Sequence, residues 1–240
     1  MSLRDDIIKH QIFLMRLVRT QARETKKLLN KAYAFVVEAI RTGNYYNLQQ
    51  KLEVVLGAMP GTAMKLVNEL AWYEANFTKQ RLSRWNKDLK IKGVRKAEVI
   101  STAETVNVAV NIDRTTQNIP NTYNLYAAAV ISRTLLTLSD KQITFATKEE
   151  TTAAVKEKFQ GMFAVQNLAL AGVAVIGVAN ASRGLVAEEN NMQLEWSAIL
   201  DESTCDYCED QDGQVFETIE DSLIPAHANC RCTWIIINNE

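Results

Sequence analysis

The residues best equipped for chemistry sit near one end of the chain. All four cysteines and one of the two histidines fall between Cys205 and Cys232. They read Cys205-x2-Cys208, an interval of 18 residues, then His227-x2-Cys230-x-Cys232. Thiolates and imidazole are ligands that suit zinc, and two ligand pairs separated by a loop can close a tetrahedron. An interval of two lets a tight turn aim both side chains of a pair at one ion. Five candidates compete for four places. Cys205, Cys208, His227 and Cys230 form the favoured set, because both pairs then share one spacing, and Cys232 remains a possible replacement for Cys230. Buried free thiols and a pair of disulfides are the plainer alternatives.

The N-terminus, MSLRDDIIKHQIF, has charges on both sides of a short apolar stretch and no small-residue cleavage site, so it does not read as a secretory signal. Folding in a reducing cytoplasm is the expectation, and there clustered cysteines argue for metal before disulfides. A catalytic zinc needs an open coordination position and a nearby general acid or base. The zinc deaminase pattern, H-x-E followed by P-C-x-x-C, is not met: the cysteine pair comes first, and Asn229 stands two places after His227. The expected cofactor is therefore a structural Zn2+ that supplies folding energy to a small unit. No nucleophile elbow, phosphate loop or dinucleotide fingerprint appears, and no enzyme is expected.

The rest of the chain must position these ligands. With 3 prolines and 9 glycines among 240 residues, long helices are favoured. Apolar residues at Ile8, Ile12, Met15 and Val18, then Leu28, Ala32, Phe35, Ala39 and Ile40, predict a first helix from Asp5 to about Arg41 that ends at Gly43. The polar stretch Arg19 to Lys27 predicts that its middle is partly solvent-bridging. Helices follow at Leu48 to Leu56, Thr62 to Lys87 and Tyr123 to Leu138. Ala97 to Ile112 fits either an extended or a helical form. Thr147 with Glu150 has the form of a capping box. Phe159 to Ser182 carries no charge and is long enough to span a bilayer, but its Ala, Gly and Val content and its Gln and Asn residues favour a packed core helix. Gly172 and Gly177 would let a neighbouring helix approach it. From Gln193 the pattern turns to strands: Gln193 to Leu200, Gln214 to Phe216 after an Asp212-Gly213 turn, and Arg231 to Ile237.

The formal net charge is −1, which excludes a molecule that binds polyanions over its whole surface. Locally, Lys79, Arg81, Arg84, Lys87, Lys90, Lys92, Arg95 and Lys96 oppose a single acid, Asp88, and flank Trp85. This segment is the candidate surface for double-stranded DNA, with an ordinary solvated face as the plainer reading. Asp201 to Asp221 is the converse, with nine acidic residues and no basic one, and suits a basic protein surface. His10, in a polar part of the first helix, is expected to be chemically idle.

The run Trp196 to Phe216, WSAILDESTCDYCEDQDGQVF, followed by IPAHANCRCT from Ile224 to Thr233, resembles the phage Mu F-like minor head protein family, the phage head-morphogenesis domain. The departures are Glu202 and Ser203 where charged residues are frequent, and a single proline, Pro225, before His227. The resemblance implies a minor capsid protein, present in multiple copies in the virion, at the portal vertex or in the head interior. It further implies the portal and other head proteins as partners, assembly in the host cytoplasm, and a part in DNA packaging or ejection. No membrane partner is expected. The alternative is a cytoplasmic zinc-containing nucleic-acid-binding protein. The expected architecture is mainly α: a helical N-terminal region 1–120 and a Mu F-like region 121–240, whose last part, 193–240, is a zinc-held α+β module.

Overall fold

A computed structural model describes residues 3–85, 87, 90–105, 107–109, 116–219 and 224–238. Among these, the helices are α1 (Leu3–Thr42), α2 (Leu48–Leu56), α3 (Met59–Trp85), α4 (Lys96–Thr105), α5 (Ile119–Ile143), α6 (Lys148–Gly161), α7 (Asn167–Glu189) and the short α8 (Asp206–Gln211). A π-helical turn, Met162–Gln166, joins α6 to α7. Two strands, β1 (Asn107–Ala109) and β2 (Thr116–Asn118), form an antiparallel pair. A second sheet has the order β4-β3-β5, with β3 (Gln193–Ser197) antiparallel to both β4 (Val215–Phe216) and β5 (Thr233–Ile237). The protein is mainly helical with a small C-terminal α+β module, as its sequence implies.

The centre of the helical body is α7. From Leu170 to Gly184 every residue is buried, because Ala, Gly and Val present an apolar surface on all sides and none of them is large. Helices α1, α3, α4 and α5 and strands β3 and β5 pack around it. By length and composition α7 could cross a bilayer, yet 89% of its apolar window is buried inside the protein. It is a core helix. At Gly172 an added Cβ would meet nothing within 4 Å, contrary to the close approach expected there. The tight spot is Gly184, where a Cβ would come within 1.8 Å of Ile219 Cγ2, in the loop that leads to the second ligand pair.

Helix α1 departs from the expected face near its start, whereas Ala32, Ala39 and Ile40 are buried as expected. Ile7, Leu14 and Val18 are buried, whereas Ile12 is 60% exposed and Met15 only half-buried. Its polar middle is split: Arg19, Thr20, Arg23, Glu24, Lys26 and Lys27 face solvent, but the other side packs inward. Gln21 and Thr25 are buried; Gln21 donates to Tyr123 Oη at 3.2 Å, and Asn167 donates to the Ala22 carbonyl at 2.6 Å. His10, expected to be idle, is buried against Glu74 with Nε2 2.7 Å from Oε1, and its ring stacks on Phe77 at 3.8 Å between centroids.

Prolines stand in the first turns of α3 and α5, where the missing N–H is an orphan in any case, so Pro60 and Pro120 begin helices that the pattern starts later. Asn118 caps α5 by accepting from the Asn121 N–H at 2.9 Å. The capping box at Thr147 and Glu150 forms as expected. The ambiguous stretch resolves into helix up to Thr105 and strand at Asn107–Ala109; residues 106 and 110–112 lie outside the described residues. Replacing Gly184 by Ala gains helix propensity of about 1 kcal/mol but forces Ile219 aside. We expect a net loss of about 1–3 kcal/mol, read as a lowered midpoint in urea unfolding.

Candidate metal centre

The sheet supplies a rigid floor for the ligands. Trp196 on β3 lies opposite Trp234 on β5, both fully buried, with ring centroids 5.4 Å apart and planes at 89°. Phe216 of β4 sits 5.5 Å from Trp234, and Tyr207 of α8 sits 6.2 Å from Trp196. Edge-to-face packing of this kind fixes the relative rotation of the strands.

Two knuckles rise from that floor. In the first, Asp201 and Thr204 turn the chain: the Ser203 N–H donates to Asp201 Oδ1 at 2.9 Å, the Asp201 N–H donates to Thr204 Oγ1 at 2.9 Å, and Thr204 Oγ1 donates to the Ile199 carbonyl. Cys205 then caps α8, and Cys208 follows on the same helical face, as i,i+3 spacing requires. This short helix was not expected; its acidic first turn, Asp206 and Glu209, suits the positive end of a helix. In the second knuckle, the Cys230 N–H donates to the His227 carbonyl at 3.1 Å, and Asn229 takes the left-handed conformation at φ 65°.

The five candidate ligands fall into two overlapping groups of three, and the favoured set of four is divided between them. His227 Nε2 lies 3.1 Å from Cys205 Sγ and 3.2 Å from Cys208 Sγ, and Cys208 Sγ lies 3.9 Å from Cys230 Sγ. Two groups form around the shared Cys208: one with Cys205 and His227, the other with Cys230 and Cys232, the ligand atoms of each lying within 4.8 Å of one another. A zinc tetrahedron with thiolate bonds has sulfur–sulfur edges of about 3.8 Å, which the Cys208–Cys230 pair matches. His227 Nδ1 donates to the Ala228 carbonyl at 2.7 Å, leaving Nε2, the nitrogen that faces the sulfurs, free to act as a ligand. None of the four cysteines is in a disulfide. The half-open pocket they help to line has about 10 Å³ of space for water-sized groups, room for one ion or water. The donor set and its spacing fit a metal ion.

A family model described as phage Mu protein F like protein matches residues 139–235. Residues 139–235 thus resemble that family. The match begins inside α5, takes in α6, α7 and the sheet, and contains all five ligand candidates. No curated protein and no solved structure matches the chain.

The electrostatics of the cluster follow from crowding the sulfurs. The Cys230 thiol is held well below its ordinary range by hydrogen bonds from Cys208 and Cys232, while Cys208 is pushed up, first by those contacts with Cys230 and Cys232 and then by burial. A divalent cation bound there would displace the thiol protons.

Arg231 ties the knuckles together. Between Cys230 and Cys232, it makes a two-pronged pair with Asp201, Nη1 to Oδ2 at 2.6 Å. Neither residue was singled out as part of the site; opposite charges flanking the two ligand pairs were the available signal. The acids Asp201, Glu202, Asp206, Glu209, Asp210 and Glu217 are exposed around the first knuckle, while Glu220 and Asp221 of the acidic run lie outside the described residues.

The basic candidates lie outside the family match, and the structure separates them. Arg84, Lys87, Lys90, Lys92, Arg95 and Lys96 are exposed, and Trp85 is 45% exposed. Arg95 pairs with Glu98 at 3.2 Å. Arg81 is bound internally, to Asp6 at 2.8 Å and over the Phe77 ring, and Lys79 is half-buried.

Hydrogen bonding to Arg231, then to the Ser203 N–H, lowers Asp201 from 3.8 to about 2. A depressed carboxylate contributes stability that is whole above its unfolded value near pH 4 and is lost as pH falls through about 2. Asp201→Asn should therefore weaken the module at neutral pH and flatten this part of its acid dependence. Tryptophan fluorescence against pH, which reports the Trp196–Trp234 floor, checks this.

Proposed function

We propose that the protein is a structural component of the phage head, seated at the portal vertex or in the head interior, whose C-terminal knuckles are clasped by one zinc ion and which catalyses no reaction. The observation that carries this reading is the clustering of five candidate ligands around a pocket with about 10 Å³ of space within the family-matched region. With more ligands than a tetrahedral ion needs, no coordination position is left for an activated water. Cys205, Cys208, His227 and Cys230 would hold the ion, with Cys232 beside them. The exposed acids of the first knuckle, with exposed Leu200 and Val215 among them, fit a basic partner such as the portal or another head protein. Assembly takes place in the host cytoplasm, and the protein has a part in packaging or ejecting the genome.

Elemental analysis of the freshly reduced protein should find about one zinc per chain, and the protein should be found in purified particles. Protein without zinc would contradict the clasp. Its absence from particles, with retained nucleic-acid binding, would favour the reading as a cytoplasmic nucleic-acid-binding protein.

The exposed basic segment supports a second element of the reading, contact with duplex DNA during packaging. Arg84, Lys87, Lys90, Lys92 and Lys96 are exposed and make no ion pair among the described residues, so they are free to displace counterions from phosphate. Binding should be insensitive to sequence and weakened by salt. Replacing Arg84, Lys87, Lys90 and Lys92 by Ser should lower the salt slope by about one for each lost contact, whereas Arg81→Ser should leave it unchanged. Filter binding across a salt series reads both.

A further inference from the structure

The backbone between Cys230 and β5 is buried at the junction with the helical body and is not yet in the β-ladder, which begins with Thr233 opposite Ser197. Its carbonyls therefore need partners from elsewhere, since a buried carbonyl without one is costly. Those partners come from helices far away in the chain. Gln11 of α1, 1% exposed, donates through Nε2 to the Arg231 carbonyl at 3.1 Å. Asn180 of α7, also 1% exposed, donates to the Cys232 carbonyl at 3.4 Å, and its Oδ1 accepts the Trp234 N–H at 2.8 Å and the Thr233 hydroxyl at 3.3 Å. Arg183, one turn further along α7, donates to Thr233 Oγ1 and pairs with Glu74 of α3 at 3.3 Å; Glu74 in turn meets His10 of α1.

We infer that this buried polar relay sets the position of the second ligand pair, so that Gln11, Asn180, Arg183 and Thr233 act as positioning residues for the metal. The inference rests on the zinc reading of the centre. Four successive residues, Arg231 to Trp234, are pinned by side chains of α1 and α7, and Cys230 and Cys232 can move only if those bonds give way. Metal occupancy and closure of the helical body are then one cooperative event, in contrast to a clasp appended to an independent bundle. The relay also gives the fully buried Arg183–Glu74 pair a role: it anchors Thr233 to a helix that contributes no ligand.

The test uses near-isosteric changes that keep packing. Gln11→Met removes one link and Thr233→Val two, and Thr134→Val is the control, since Thr134 is equally buried but bonds only within α5. Zinc affinity is read by competition with a chromogenic chelator, and folding by far-ultraviolet circular dichroism. The first two variants should bind zinc about tenfold to hundredfold more weakly, as loss of an outer partner of a ligand does, while the control keeps wild-type affinity even if its melting temperature falls. Folded Gln11→Met and Thr233→Val proteins with wild-type affinity would overturn the inference. So would an equal loss of affinity in the control. A second measurement needs only the wild type: chelation should raise amide exchange around Gln11 in α1 and Asn180 in α7 as well as in the sheet. Exchange gains confined to residues 193–237 would overturn the relay while leaving the zinc site intact. A wild type that binds no zinc would overturn the metal reading, and the inference with it.

Discussion

The architecture depends on a helix with no wet side. Between Leu170 and Gly184, α7 offers water nothing but small apolar residues, the amide of Asn180, the hydroxyl of Ser182 and the guanidinium of Arg183, so it must be covered all round. Covering it recruits α1 and α3 along its length, α4 and α5 beside them, and the C-terminal sheet over its second half. Because α7 is thin, each neighbour comes close, and long amphipathic helices are the economical cover. The polar groups it carries must then find partners inside the protein: Asn180 and Arg183 both turn towards β5, and Glu74 on α3 balances the buried Arg183 guanidinium.

That requirement brings the helical body and the ligand cluster into contact. The sheet presents its aromatic face, Trp196, Phe216 and Trp234, as a rigid support, and the knuckles above it are short turns with little burial of their own. A unit of this size gains little from burial alone, which is why a metal clasp and the side-chain partners from α1 and α7 reinforce one another. The Mu F-like match itself spans α6, α7 and the sheet together, consistent with these parts forming one functional piece.

Charge is distributed unevenly over the surface. Carboxylates surround the first knuckle, whereas the exposed cations follow the end of α3 and the loop into α4, where the Lys92 N–H donates to Asn190 at 2.7 Å. The two surfaces suit different partners, one basic and one polyanionic.

Much of this was legible from residue types. The ligand spacing, the capping box, the C-terminal strands and the helical class all follow from local chemistry: the period of apolar residues, turn residues at fixed offsets, and thiols at intervals that suit a metal. Helix α7 was readable as core because a charge-free Ala/Gly/Val run is only moderately apolar. What local pattern could not supply was pairing across the chain. Ile7, Ile8 and Ile12 are equally apolar, and only contact with α3 and α7 decides that Ile7 is buried and Ile12 exposed. His10 was expected to be idle and Gln11 drew no attention, because Glu74 and the Arg231 carbonyl, which meet them, lie 64 and 220 positions away. Arg81 belongs to a basic run in sequence, yet folding places Asp6 beside it and leaves it half-buried. Gly184 matters where Gly172 does not, because the loop holding Ile219 crosses the helix at one and leaves open space at the other. Sequence sets which groups need a partner; only the packed chain decides which partner each one meets, since burial makes an unmet polar group or a misplaced Cβ costly.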